Sequence, residues 1–142
     1  MATVSPYLNF PGNTEEAFNF YRSVFGGEFT NVQRFRNMQG AGPIPEADAD
    51  KIMHISLPIS KETVLMATDA LESLGQKLTI GDNFSICLNT ESEAEADKLY
   101  HALSEGGKIQ MALEKTFWGA YFGMLTDKFG IQWMVNYDYK KK

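Results

Sequence analysis

The sequence predicts an α+β protein of two βαβββ modules, residues 1–79 and 80–142, together forming one domain around a concave mixed sheet. Three observations carry this. The run Leu8–Gly27 recurs 79 positions later as Cys87–Gly106, so that Asn13 overlies Ser92, Glu16 overlies Glu95, Ala17 overlies Ala96, Tyr21 overlies Tyr100 and Gly27 overlies Gly106. Strand-like segments follow each copy, and the last of them, Val64-Leu65-Met66, matches Gln132-Trp133-Met134 at a shift of 68. The difference, 79 − 68 = 11, is about the length of the segment from Gln39 to Asp50, which reads as an insertion in the first module. One such module buries its sheet poorly, whereas two share a core with their helices outside.

The elements follow in order. Val4 to Phe10 is short and apolar, and Pro11-Gly12 turns the chain. Asn13 or Thr14 is the expected N-cap, with Glu15 and Glu16 at the positive end of the helix dipole. Ala17, Phe20, Tyr21, Val24 and Phe25 then repeat at helical spacing until Gly26-Gly27 stops the helix. Glu28 to Asn37 reads as a strand with Arg34 and Arg36 on one face and Phe35 on the other. Gln39 to Asp50 reads as an exposed loop, either a plain surface loop or a lid. Lys51 to Ile59 alternates, with Met53, Ile55 and Leu57 opposite Ile52, His54 and Ser56. Thr63 to Thr68 is the fourth strand, and Leu71 to Thr79 a linker with some helical turn.

The second module repeats this plan. Asn83 to Asn89 is a strand in which Cys87 reads as a packed thiol. Ser92 and Glu95 form a capping-box pattern ahead of the stripe Ala96, Leu99, Tyr100, Leu103. Lys108 to Lys115 alternates, Trp118 to Leu125 is aromatic and strand-like, Asp127 to Gly130 is a turn, and Ile131 to Tyr137 closes the chain.

Composition excludes several function classes. Apolar residues make up 44% and aromatics 13%, enough for a core. The net charge of −5 and the lone basic run Lys140–Lys142 give no nucleic-acid footprint. No apolar run spans a bilayer and the N-terminus lacks a signal-peptide pattern, so no membrane partner is expected. A single cysteine forms no internal disulfide, which fits a cytoplasmic location.

PYLNF, the capped helix ending FYRSVFGG, MHISL, LMATD and the run KTFWGAYFGMLTDKFGIQWMVNY resemble the PhnB-like subfamily of the vicinal oxygen chelate superfamily, which includes glyoxalases, bleomycin-resistance proteins and ring-cleaving dioxygenases. The resemblance covers almost the whole chain. It implies the glyoxalase/bleomycin-resistance fold, a small-molecule ligand and a homodimer. Proteins of this group sometimes carry a ubiquinone-methyltransferase designation, but no glycine-rich loop follows the first strand here in a Rossmann-like arrangement. The superfamily's metal enzymes hold a divalent ion through His, Glu or Gln on the first and last strand of each module. Those positions fall here on Pro6, Met66, Ser85 and Met134, a set unsuited to a hard divalent ion. No metal and no other cofactor is therefore expected.

The remaining candidates line a metal-free cleft. His54 is either a group for proton transfer or a hydrogen-bonded strand histidine. Glu114 is either a second base, its pKa raised in an apolar cleft, or a salt-bridge partner of Arg34 or Arg36. Trp118 and Tyr121 offer an aromatic wall, with core or dimer packing as the alternative. Gln110, Met66, Met134 and Asn136 complete the expected ligand-binding set. The sequence thus leaves open a binding protein, a lyase or isomerase using His54 or Glu114, and, as a third reading, a metalloenzyme with relocated ligands such as His54 plus Glu114.

Overall fold

A computed structural model describes residues 2–37 and 44–139. The chain divides into two compact units, Met1–Thr79 and Ile80–Lys142. In the first unit, β1 (Tyr7–Phe10), α1 (Thr14–Phe25), β2 (Asn31–Arg34), β3 (Ile52–Pro58) and β4 (Val64–Asp69) follow in order. The second contains β5 (Ile86–Asn89), α2 (Glu93–Ser104), β6 (Lys108–Lys115), β7 (Ala120–Thr126) and β8 (Gln132–Asp138). The sheets have the same strand order, β1-β4-β3-β2 and β5-β8-β7-β6. In each, the first strand runs parallel to the last and the other pairs are antiparallel. This is the predicted α+β architecture of two βαβββ modules.

Each helix covers one face of its own sheet. Ala17, Phe18, Tyr21 and Val24 of α1 are buried with Leu8, Phe10, Ile55, Leu57, Leu65 and Ala67. Phe18 meets Phe10 edge-on at 6.4 Å between ring centroids. Ala96, Tyr100 and Leu103 of α2 are buried with Leu125, Trp133 and Val135. Burying a large apolar side chain contributes roughly 1.5–3 kcal/mol, so these two clusters carry most of the stability. The opposite face of each sheet is not covered by its helix and carries most of the candidate residues.

Several boundaries differ from the expectations. The segment after α1 is a strand only from Asn31 to Arg34, because a register shift at Gln33/Arg34 leads into a 3-10 turn, Phe35–Asn37. Ile52, expected on an open face with His54, is fully buried opposite Arg34 at that irregularity. Trp118 precedes β7 and belongs to the β6–β7 turn, where Thr116 N–H bonds Ala120 O. The linker does form a 3-10 turn, Glu72–Leu74. The loop expected from Gln39 to Asp50 lies partly outside the described residues, as does Lys140–Lys142; its later part contains a 3-10 turn, Glu46–Asp48.

The two helices are capped differently. Ser92 accepts from Glu95 N–H at 3.0 Å and Glu95 reaches back to Glu91 N–H at 2.8 Å, close to the expected capping box. Asn13 is the N-cap of α1, but its side chain makes no capping bond. The buried Asp69, at the end of β4, accepts from Thr14 N–H at 2.9 Å and from Ile52 N–H at 2.8 Å. A residue 55 positions away thus takes a role that sequence reasoning assigns locally.

The repeat governs strand boundaries but not pairing. β1 and β5, and α1 and α2, are offset by 79 at both ends. β4 and β8 begin 68 apart. On that basis Tyr7, which pairs Met66, predicts Ile86 against Met134; instead Ile86 pairs Trp133, and Cys87 pairs Met134. A one-residue slip transfers side chains to the opposite face. Leu8 is therefore buried under α1, whereas Cys87 is exposed rather than packed.

Candidate functional site

On the open face of the first sheet, Tyr7, Met66, Ser56 and Asn31 stand in one cross-strand row on β1, β4, β3 and β2. His54 lies two residues from Ser56 on the same strand and the same face. Its Nδ1 is 3.1 Å from Tyr7 Oη, and its Nε2 is 2.9 Å from Ser56 Oγ. Both ring nitrogens are thereby engaged, and a phenol and a hydroxyl fix the imidazole plane. Tyr7 is 46% exposed and Ser56 7%, so the chain of three groups runs from surface to interior. Burial pushes the Tyr7 phenol up, keeping it protonated near neutrality. With Tyr7 donating to Nδ1, the Nε2–H donates to Ser56; with the other tautomer both bonds reverse. The arrangement can pass a proton in either sense without any group carrying a permanent charge.

His54 is among the site residues expected from the sequence; Tyr7 and Ser56, its hydrogen-bond partners in the structure, are not. The signal for Ser56 was its place two residues from His54 on a strand. Tyr7 required the β1–β4 register, which no local pattern supplies.

Two rows cross the open face of the second sheet. One is Asn89, Asn136, Phe122 and Glu114; the other is Cys87, Met134, Met124 and Met111. Met134 and Asn136 share this face, as parity predicts. Asn136 Nδ2 donates to Asn89 Oδ1 at 3.1 Å. Trp118, 53% exposed, packs edge-on against Phe122 at 6.0 Å between centroids. Glu114 joins Phe122 here, but Met111 lies on the same side, although alternation places Met111 and Glu114 oppositely. Register shifts on either side of Met111 account for this, and Gln110 is the extra residue of the first.

Tyr121 is turned the other way, toward α2. Its Oη donates to Asp97 Oδ1 at 2.6 Å, and that carboxyl group's hydrogen bond pushes the phenol up to about 12. Tyr121 therefore stands on the covered side of the sheet, away from Met134 and Asn136. Arg34 forms a two-bond pair with Glu15, at 3.0 and 2.7 Å, while Arg36 bonds Asp50 and Glu46, each at 2.8 Å. These arginines are thus engaged within the first module, not with Glu114 as the salt-bridge alternative has it.

A polar cleft of ≈ 240 Å³ opens beside the start of α1, lined in part by Gly12, Glu15, Asp50, Lys51 and Asp69. None of the predicted site residues lines it. Its charges brace the fold: Glu15 holds Arg34, Lys51 Nζ donates to Gly12 O, and Asp69 caps α1.

The superfamily's divalent ion fits these residues poorly. Pro6 supplies only its backbone carbonyl, which accepts from Met66 N–H, and Ser85 precedes β5. The first-strand side chains on the open faces are Tyr7 and Asn9, and Cys87 and Asn89. Among the described residues, no group of three or more His, Cys, Asp or Glu side chains is arranged to hold a metal ion. No described helix is long and apolar enough to cross a membrane.

A family model described as 3-demethylubiquinone-9 3-methyltransferase matches residues 2–136. Protein YjdN of Escherichia coli K12 is 31% identical over 147 residues, covering 94% of this chain and 93% of YjdN. The crystal structure of protein PA1353 from Pseudomonas aeruginosa superposes with a TM-score of 0.84 at 41% identity, covering 97% of this chain and 98% of that one. A Bacillus cereus PhnB protein, described as a putative 3-demethylubiquinone-9 3-methyltransferase, gives 0.73 at 27% identity, with 96% and 99% covered. A glyoxalase/bleomycin resistance protein/dioxygenase family enzyme from Burkholderia phytofirmans shares the fold, with a TM-score of 0.60 at 20% identity. The sequence motifs, the two βαβββ sheets and these similarities agree: the chain belongs to the PhnB-like family, with the glyoxalase/bleomycin-resistance fold.

Proposed function

We propose that the protein binds a small organic molecule on the open face of its first sheet, centred on Tyr7, His54 and Ser56, without the superfamily's divalent metal. The observation that supports this most is the hydrogen-bonded chain Tyr7–His54–Ser56, bordered by the thioether of Met66. It presents neutral donors and acceptors beside apolar surface, the composition of a small-molecule site. Met134, Asn136, Phe122 and Trp118 give the second sheet an apolar, aromatic face suited to flat groups. The donors at the metal positions, being amide, phenol and thioether groups, favour organic ligands over a hard divalent ion.

The engaged imidazole also supports the enzymatic reading, a lyase or isomerase in which His54 moves a proton and Tyr7 or Ser56 returns it. Glu114 is the second candidate base, on the other sheet. Against a methyltransferase activity stands the β1–α1 connection, Pro11-Gly12-Asn13, which has a single glycine and not the Rossmann glycine pattern. A homodimer is favoured by β6, an edge strand with Ile109 55% exposed. The lone cysteine favours a reducing, cytoplasmic setting.

A thermal-shift screen of small organic acids, aldehydes and phenols on wild type and His54→Ala tests the proposal. A stabilising compound whose effect falls at least about tenfold in His54→Ala is expected, on the scale of one lost buried hydrogen bond. Hits unaffected by His54→Ala place the ligand elsewhere. Turnover of a hit by wild type that falls further in His54→Ala than its binding does favours the enzyme.

A further inference from the structure

The second sheet places four sulfur-bearing side chains in one line. Cys87 on β5 pairs Met134 on β8, Met134 pairs Met124 on β7, and Met124 pairs Met111 on β6. Directly paired residues point to the same side of a sheet, so all four project from the open face. The helix side of the same strands is occupied by Leu125, Trp133 and Val135. Cys87 is exposed, Met111 is 46% exposed, and Met124 and Met134 are half-buried, so the row is open to solvent at both ends and half-buried at its middle.

We propose that this row is a binding site for a soft monovalent metal ion, Cu(I) or Ag(I), with Cys87 Sγ and the thioethers of Met134 and Met124 as ligands and Met111 as a neighbouring donor. Thiolate and thioether sulfurs select soft ions over Mg²⁺, Mn²⁺ or Fe²⁺. Paired side chains leave the sheet about 4.5–5.5 Å apart. Two metal–sulfur bonds of about 2.3 Å each, placed end to end, span about 4.6 Å. Adjacent members of the row can therefore share one ion, and the three rotatable bonds of methionine allow a third sulfur to close on it. Binding replaces the thiol proton of Cys87, which passes to solvent, so the thiolate neutralises the ion's charge and the thioethers complete its coordination without adding charge. The weak contact of Cys87 Sγ to Asn89 Oδ1, at 4.0 Å, is lost in the exchange.

The corresponding row of the first sheet is Tyr7, Met66, Ser56 and Asn31, with one sulfur in place of four. The proposed ion site is thus confined to the second module. It does not rest on the organic-ligand reading, which is centred on His54.

The test is an anaerobic titration with Cu(I) alone, competed against a colorimetric Cu(I) chelator, with released protons followed in parallel. The expected result is one Cu(I) and about one proton per chain. Met134→Leu and Met124→Leu conserve volume and leave the fold intact, yet each is expected to weaken binding at least about tenfold, the scale on which lost metal-site groups act. Cys87→Ser is expected to weaken it about a hundredfold or more, and Met53→Leu, outside the row, to change nothing. Failure to compete for Cu(I) overturns the proposal. So does binding that depends on Cys87 but not on Met134 or Met124, because any exposed thiol would do the same.

Discussion

The open faces of the two sheets share a topology and differ in chemistry. At the 68-residue offset that relates β3 and β4 to β7 and β8, His54 corresponds to Phe122 and Ser56 to Met124, while Met66 and Met134 remain methionine. The first face carries the chain Tyr7–His54–Ser56; the second carries Phe122, Trp118 and a row of sulfurs. The slip of β5 relative to β1 sharpens the contrast by bringing Cys87 where Tyr7 stands in the first sheet. Duplication of a fold preserves the covered face, where Leu65 and Leu57 or Trp133 and Leu125 must pack a helix, and leaves the other face available to diverge.

The largest expected effect concerns how the modules are braced. Asp127 is buried and accepts from Phe129 N–H, Ile131 N–H and Trp133 Nε1–H, tying the turn before β8 to the core tryptophan. In the first module Ser60 Oγ holds the comparable turn, accepting from Glu62 N–H and Thr63 N–H, and it is exposed. Asp127→Ala orphans three donors and is predicted to cost about 3–5 kcal/mol in urea unfolding. Ser60→Ala is predicted to cost under about 1 kcal/mol. Equal losses would break the comparison.

The next effect is on binding. His54→Phe with Ser56→Met rewrites the first open face as the second. The prediction is loss of most affinity for the organic ligand, at least about tenfold, with stability changed by less than about 1.5 kcal/mol because the covered face is untouched. Isothermal titration with a hit from the thermal-shift screen reads the first quantity, and urea unfolding the second.

The helix caps give a smaller contrast. Ser92→Ala removes a capping hydrogen bond and is predicted to cost about 1 kcal/mol, whereas Asn13→Ala should cost no more than a few tenths, because Asp69 serves α1 instead. The smallest effect is acid-dependent. The hydrogen bond from Arg34 holds the Glu15 carboxyl below the ordinary glutamate range, and Arg36 does the same for Asp50. With these folded-state values depressed, the pairs' stabilisation is present above the unfolded value of about 4.3 for Glu15 and is lost as pH falls through the folded value. The Arg34–Glu15 pair is partly exposed, so Arg34→Gln should remove no more than about 1 kcal/mol, and the part due to Glu15 should be lost in acid, leaving that of the bond from Arg34 to Asp50 O.

The sequence made the fold legible because helix and strand periods, caps and glycine stops are local signals that occur twice. Alternation also placed His54 and Ser56 on one strand face, and Met134 and Asn136 on another. Three things were hidden for one reason: they depend on strand pairing. Tyr7 reaches His54 across β4; Cys87 leaves the core through a one-residue slip; Met111 and Glu114 meet on one face through bulges. Tyr121 illustrates a second limit, since its turn toward Asp97 follows from which face α2 covers rather than from its own aromatic character.

Recognition of an organic molecule by the first open face through Tyr7, His54 and Ser56, independently of a divalent ion, is our main proposal. The direct measurement is calorimetric titration of a screened ligand into wild-type protein before and after exhaustive dialysis against EDTA, with Tyr7→Phe as the companion variant. The expected result is unchanged affinity after EDTA and an affinity reduced about tenfold in Tyr7→Phe, the scale of one hydrogen bond at a partly buried site. Binding abolished by EDTA and restored by Zn²⁺, Ni²⁺ or Mn²⁺ would contradict it.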